Sequence, residues 1–371
     1  MHTLLAFGVL HFTFESAHGG LNTFDEATDR VDRLRDAMLS DCKYPLFISW
    51  DSGFPGNYSD HLFLNRRGKQ AKFLGPLSSP FVFIEYSLRA VSRFPAYTYH
   101  VIFHQNKYLK SKVLPTLEIN NSQSINDDNQ FNINRPKNNG NPNFSDLATI
   151  WNPIKLLTSP FVDSLGSGAW NSMLRRADLV LNKYDAIEFK TSSPTAVSKF
   201  LNEWKKSHQE REILLIGHRM GTIIANTIIA KHHDLSFSQI VYMAAACTIN
   251  DLKKVVVPYL IHHKKTSFYN VSLHPTRDIL ENSSLVDITP RGSLLVWIDN
   301  TIGTINSFQD RTAGFWDNIY AAKNETFPDE IRSNIYLTHF GINDGSPQNH
   351  GDFDDYPFWR NSFWHGSSVP D

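Results

Sequence analysis

The stretch "LLIGHRMGTIIAN", Leu214–Asn226, decides how the chain is read. An apolar, β-type run, "EILLI" (212–216), meets Gly217. Three residues follow, then Gly221 leads into "TIIANTIIAKHH", a helix-type run. Two glycines four apart mean little alone; the strand before them and the helix after them give them meaning. A strand that turns into a helix within five residues holds its central residue, here Arg219, in strained backbone. Side chains at the two flanking positions would clash, so Gly217 and Gly221 suit the turn, with His218 between the first glycine and the centre.

Working outward, strand-type and helix-type segments alternate. "FGVLHFTFES" (7–16) is β-rich and ends at "HGG". "TFDEATDRVDRLRDAML" follows, with Thr23 as N-cap and Phe24, Ala27, Val31, Leu34 and Met38 at helical spacing. "YPLFISW" (44–50) is a short buried-strand pattern. "SSPTAVSKFLNEWKK" reads as a helix opened by Ser193 and Pro194, with Val197, Phe200, Leu201 and Trp204 on one face. Beyond the Gly217 turn come strands at "QIVYMAA" (239–245), "TSFYNVSL" (266–273) and "SNIYLTHFG" (333–341). Continuous apolar strands alternating with amphipathic helices predict an α/β fold, a mostly parallel central sheet with helices on both faces, in a single domain over residues 1–371.

Two segments break the pattern. Residues 119–146 include the Asn-rich run "INNSQSINDDNQFNINRPKNNGNPNF" (119–144), which has too few apolar residues to pack and reads as a flexible surface insertion. Residues 151–185, with "FVDSLGSGAWNSMLRRADLVLNKY" (161–184), read as a partly helical, lid-like segment before the Gly217 strand.

Bulk properties narrow the function classes. Of the 371 residues 41% are hydrophobic and 20% charged, as in a globular protein with a core, and the net charge of -1 gives no reason to expect nucleic acid as a partner. The 16 histidines are scattered and form no HExxH or His/Cys pairs, so neither a metal nor a cofactor is expected. Cys42 and Cys247 are expected to be buried thiols in a reducing, cytoplasmic setting. The N-terminal "MHTLLAFGVLHFTFESAHGG" has the apolar run of a secretory signal but no Lys or Arg before it. No apolar stretch approaches the roughly 20 residues of a membrane span.

Three chemical signals fall at the ends of expected strands. Besides the Gly217–Gly221 turn, "HGGLNT" (18–23) supplies a turn whose backbone N–H groups suit stabilisation of negative charge on a substrate oxygen. "SPQNHGDFDDYPFW", after the last strand, places His350 in a Gly-, Pro- and Asp-rich loop. In this chain order the three signals resemble the α/β-hydrolase fold family, and more narrowly bacterial serine esterase/lipase-like members that carry HGGLN, "ISWDSG" and an elbow of the form GHSMG.

The resemblance implies an order of nucleophile, acid and base. Carried over, the nucleophile position is Arg219 and the base is His350. The oxyanion donors are backbone N–H groups at Gly19 or Gly20 and at Met220. The acid is expected in the loop after "YNVSLHP", with Asp278 first and Asp287 and Asp299 behind it. The ligand so implied is a small-molecule ester or a carboxylate-like molecule.

Arg219 departs from that pattern at the one position the mechanism cannot spare. A guanidinium stays protonated and has no lone pair to attack a carbonyl. Thr222 lies on the helix, where its hydroxyl is not expected to reach the same site. The expectation is therefore an esterase- or lipase-type protein that is impaired or inactive. Three accounts of Arg219 follow: a pseudoenzyme binding an anion, an ion pair with the former acid that closes the pocket and leaves the surface a binding role, or a recent replacement in an otherwise intact site. A non-hydrolase α/β interaction protein stands against all three. The discriminating feature is whether His350 lies within reach of residue 219 and of one carboxylate.

Overall fold

The computed structural model of the chain describes residues 9–14, 24–48, 54–66, 69–70, 73–100, 130–136, 153–184, 191–207, 212–281, 292–303, 305–342 and 345–365. Seven strands form one sheet: β1 (Val9–Phe14), β2 (Lys43–Ile48), β3 (Asn132–Asn134), β4 (Ile213–His218), β5 (Phe237–Met243), β6 (Ser267–Ser272) and β7 (Ile335–His339). Their order across the sheet is β2-β1-β4-β5-β6-β7-β3, and every pairing is parallel. All six residues of β4 are buried, which is why it reads as a continuous apolar run rather than an alternating one.

Helices cover both faces. Along β4, Ile213 and Leu215 join a core with Ile224 and Ile228, whereas Leu214 and Ile216 join a second core with Leu34, Met38 and Trp364. That alternation is the two-residue period of a strand, each face meeting a different layer. Leu34 and Met38 come from helix α1 (Phe24–Ser40), where the expected helical face of "RVDRLRDAM" is buried. Between β2 and β4 the chain makes α2 (Phe54–Ser59), a π-helical turn over Asp60–Leu64, α3 (Leu74–His100), α4 (Pro153–Leu181) and α5 (Ala196–Ser207). Helix α4 packs against α3, α2 and α6 (Gly221–Lys231). Small residues set these approaches: a Cβ at Gly75 would lie 1.9 Å from the Phe63 carbonyl oxygen, and one at Gly168 would lie 2.6 Å from the His61 ring.

Several expectations need correction. Helix α5 starts at Ala196, because Thr191–Pro194 pairs antiparallel with Asn182–Tyr184 instead of opening the helix, and Phe200 is exposed rather than on the packed face. The 119–146 insertion is not wholly a flexible surface segment. Phe131 is buried against Phe327, with ring centroids 6.3 Å apart, and Asn132–Asn134 pair in parallel with Tyr336–Thr338 at the sheet edge. Most of residues 151–185 form one long helix rather than a partly helical excursion. Cys247 is buried as expected, but Cys42 is exposed, in a tight turn with φ of 56° after α1. Among the described residues no helix is long and apolar enough to cross a membrane.

The strand order fixes where a site belongs. From β1 the chain runs outward to β2 on one side and returns through β4, β5, β6 and β7 on the other. The order reverses between β1 and β4, and in open parallel sheets ligands bind outside the carboxyl ends of the strands at such a reversal.

Candidate functional site

Arg219 stands at that point, directly after the carboxyl end of β4. Its φ of 51° is left-handed, a conformation that costs a non-glycine residue about 1–2 kcal/mol. The surrounding backbone holds it there. Its N–H donates to the Met243 carbonyl at 2.9 Å, and its carbonyl accepts from the Ala246 N–H at 3.1 Å and the Thr222 hydroxyl at 2.7 Å. Gly217 is required by contact: a Cβ there would lie 3.0 Å from Thr222 Cα and 3.1 Å from its Cγ2. Met220 precedes α6, so its N–H is at the open, amide-bearing end of that helix.

The Thr222 hydroxyl also accepts from the Cys247 N–H at 3.1 Å, so it is committed to the backbone of the turn, as expected. Cys247, the nearby thiol, cannot stand in as a nucleophile. It is buried, and burial pushes its pKa up to about 12.

Two further strand ends complete the site. After β6, His274 N-caps the short helix α7 (Pro275–Leu280) through a 3.1 Å bond from the Thr276 N–H to its Nδ1, and this helix carries Asp278. After β7, Asn349 and Asp352 form a reciprocal cap on a 3₁₀ turn whose first residue is His350. Asp278 and His350 meet: Asp278 Oδ1 lies 3.0 Å from His350 Nε2, both side chains being almost fully buried. Asp278 is fixed from behind by the Ser293 hydroxyl, which donates to Oδ1 at 2.7 Å. Of the three candidate acids Asp278 is thus the one beside His350. Asp299 instead accepts the Thr312 N–H at 2.7 Å and a bond from Asn318 Nδ2, a structural role, while Asp287 lies outside the described residues. Gly19 and Gly20 also lie outside them.

The sequence reading missed Glu281. Its Oε2 lies 3.3 Å from His350 Nδ1, the ring nitrogen opposite the one that faces Asp278. The signal was present in "HPTRDILE", where Glu281 follows Asp278 by three positions, just past the end of the helix. Both ring nitrogens of His350 thus face carboxylates, whereas a general base must keep one nitrogen for the nucleophile's proton.

Arg219 is almost fully buried, within electrostatic reach of this cluster. Burial lowers its guanidinium to about 10, and the charges of Glu281, then Asp278, then Asp352 oppose that shift, so it stays cationic at neutral pH. Asp278, Glu281 and His350 also bring three potential metal-ligand atoms within 4.8 Å of one another. A divalent ion would have to take one His350 nitrogen from a carboxylate and sit beside the Arg219 charge, which already supplies positive potential there.

Beneath the elbow His218 is buried and tilted against Phe353, with centroids 5.2 Å apart. Burial first, then the charges of Arg219 and Arg30, hold its pKa well below 6.5. A buried ion pair, Arg30 from α1 with Asp354, lies next to it; Asp354 Oδ1 is 3.9 Å from His218 Nδ1.

Comparison of the chain with known protein families, characterised proteins and solved structures finds no match.

Proposed function

We propose that this is a serine-hydrolase-type α/β protein, built for carboxylic esters, whose nucleophile position is held by Arg219 and whose ester-hydrolysing chemistry is therefore switched off. One observation carries the reading. Arg219 occupies the left-handed turn between β4 and α6, and the acid and base that should follow it in the chain, Asp278 and His350, lie 3.0 Å apart at the carboxyl edge of the same sheet. The order of nucleophile seat, acid and base is that of the α/β hydrolases.

Charge favours a closed, internally balanced site over an anion-binding one. The Arg219 guanidinium feels the charges of Glu281, Asp278 and Asp352, so a carboxylate or phosphate ligand would enter a region already rich in negative charge. Arg219 and His350 are each about 1% exposed, in keeping with an arginine that fills the space a substrate acyl group would need. In this reading α4, with α3 beside it, corresponds to the lid-like segment between the early strands and the elbow.

The experiment is conversion of Arg219 to Ser. The reading predicts that the variant reacts with a fluorophosphonate at the introduced serine and hydrolyses a short-chain p-nitrophenyl ester, while the unaltered chain does neither. A folded variant that does neither would refute it.

A further inference from the structure

Helix α3 is packed inside out. Its buried side is made largely of small residues, Gly75, Ser79 and Ala90 with Tyr86, and faces α4 and the π-helical turn. Its large apolar residues, Leu74, Leu77, Phe81, Ile84, Leu88 and Val91, lie roughly half a turn round the helix, and each is 54–74% exposed. Their spacings are three, four, three, four and three residues, the a/d pattern of a helix–helix seam, repeated over two and a half heptads. At about 1.5 Å per residue the stripe runs some 25 Å along the helix. An ordinary surface helix shows the reverse arrangement, with its apolar stripe toward the core.

We infer that the Leu74–Val91 stripe is the self-association surface of this protein, a two-fold seam in which α3 of one chain packs against α3 of a second copy. Three features select that occupant. The exposed fractions of the six residues correspond to roughly 800 Å² of accessible surface, which is what one partner gives to a standard stable interface and more than the largest apolar patch of most monomers. The pattern is the narrow stripe that another helix fills, and an apolar row meets itself across a two-fold axis without mismatch. Charge is nearly absent along it. Glu85 is the one charged residue at the positions flanking the seam, so the e/g pairs that select a different partner are missing, as is the Lys/Arg-rich polar face that anchors a helix on anionic lipid.

The test is the mass of the full-length protein in solution across a concentration series, by light scattering coupled to gel filtration and by sedimentation velocity. The unaltered chain is expected at twice its 42.4 kDa mass at tens of micromolar. Leu77→Glu with Leu88→Glu should give the monomer, because two carboxylates per chain enter the seam. Both positions are more than 60% exposed, so circular dichroism and Tm should be unchanged. Phe308→Glu, an exposed apolar residue outside α3, should leave the dimer intact. A monomeric unaltered chain would overturn the inference, as would a dimer that survives both substitutions. Monomers that bind phosphatidylcholine–phosphatidylglycerol vesicles through the same two leucines would overturn it in favour of a lipid-docking face.

Discussion

Asp299, a buried carboxylate apart from the His350 cluster, offers a quantitative check of the electrostatics of the fold. Its carboxylate is buried, and burial raises its pKa from 3.8 to about 6 despite the bonds from the Thr312 N–H and Asn318. Between pH 4 and 6 the folded state therefore holds a proton that the unfolded chain has lost. Stability from this group falls as pH rises through that window, by roughly 3 kcal/mol at most, and is flat on either side. Asp299→Asn cannot ionise, so this slope should vanish. Asn keeps an oxygen for Thr312, but its amide nitrogen would face Asn318 Nδ2, itself a donor that also bonds the Thr312 carbonyl at 3.0 Å. The loss of that one hydrogen bond costs about 1 kcal/mol. The unaltered chain has already lost about 1 kcal/mol of this contribution at pH 4.5, so the variant should match it there and be about 2 kcal/mol more stable at pH 7.5. Urea unfolding followed by tryptophan fluorescence at several pH values between 4.5 and 7.5 measures the difference. A difference of constant sign and size across that range would refute the reasoning.

Other substitutions probe the frame of the elbow. Arg30→Ala leaves the Asp354 carboxylate buried without its ion-pair partner and should cost about 3–5 kcal/mol in denaturant unfolding. Gly217→Ala pushes a Cβ to 3.0 Å from Thr222 Cα, a backbone atom that cannot swing away, and should lower stability by about 1–3 kcal/mol. Because the folded-state pKa of His218 is depressed, the unfolded chain takes up that proton first as pH drops. Stability from this group is lost below pH 6.5, at about 1.4 kcal/mol per pH unit, and His218→Phe should remove that contribution.

How much of this was legible in the sequence follows from which interactions are local. The elbow was, because "EILLIG" and "GTIIANTIIAK" carry their periods in adjacent residues and Gly217 is demanded by a contact only five positions away. Asp278 was reached through a resemblance to the order of residues in α/β hydrolases rather than through its own surroundings, and its contact with His350 spans 72 positions. Glu281 was overlooked because an acid three residues after another also describes any solvated helix face. Only the fold brings it to the second nitrogen of His350. The edge strand Asn132–Asn134 was hidden by its composition. Two asparagines flank the half-buried Ile133, and the strand is held by backbone pairing to β7 and by the buried ring of Phe131, neither of which shows as periodicity. The exposed stripe of α3 is plain in the sequence as a heptad pattern, but which side faces the protein is settled by where Gly75 and Ala90 pack.

The most direct measurement compares the unaltered chain with Arg219→Ser, and with Arg219→Ser combined with Glu281→Gln, in fluorophosphonate labelling and p-nitrophenyl acetate hydrolysis. The second variant removes one carboxylate along with the guanidinium, so that local charge is offset and His350 regains a nitrogen for the introduced serine hydroxyl. Labelling and turnover in the serine variants, strongest in the double variant and absent from the unaltered chain, is the predicted result. Folded serine variants that neither label nor turn over, or turnover by the chain that carries Arg219, would contradict it.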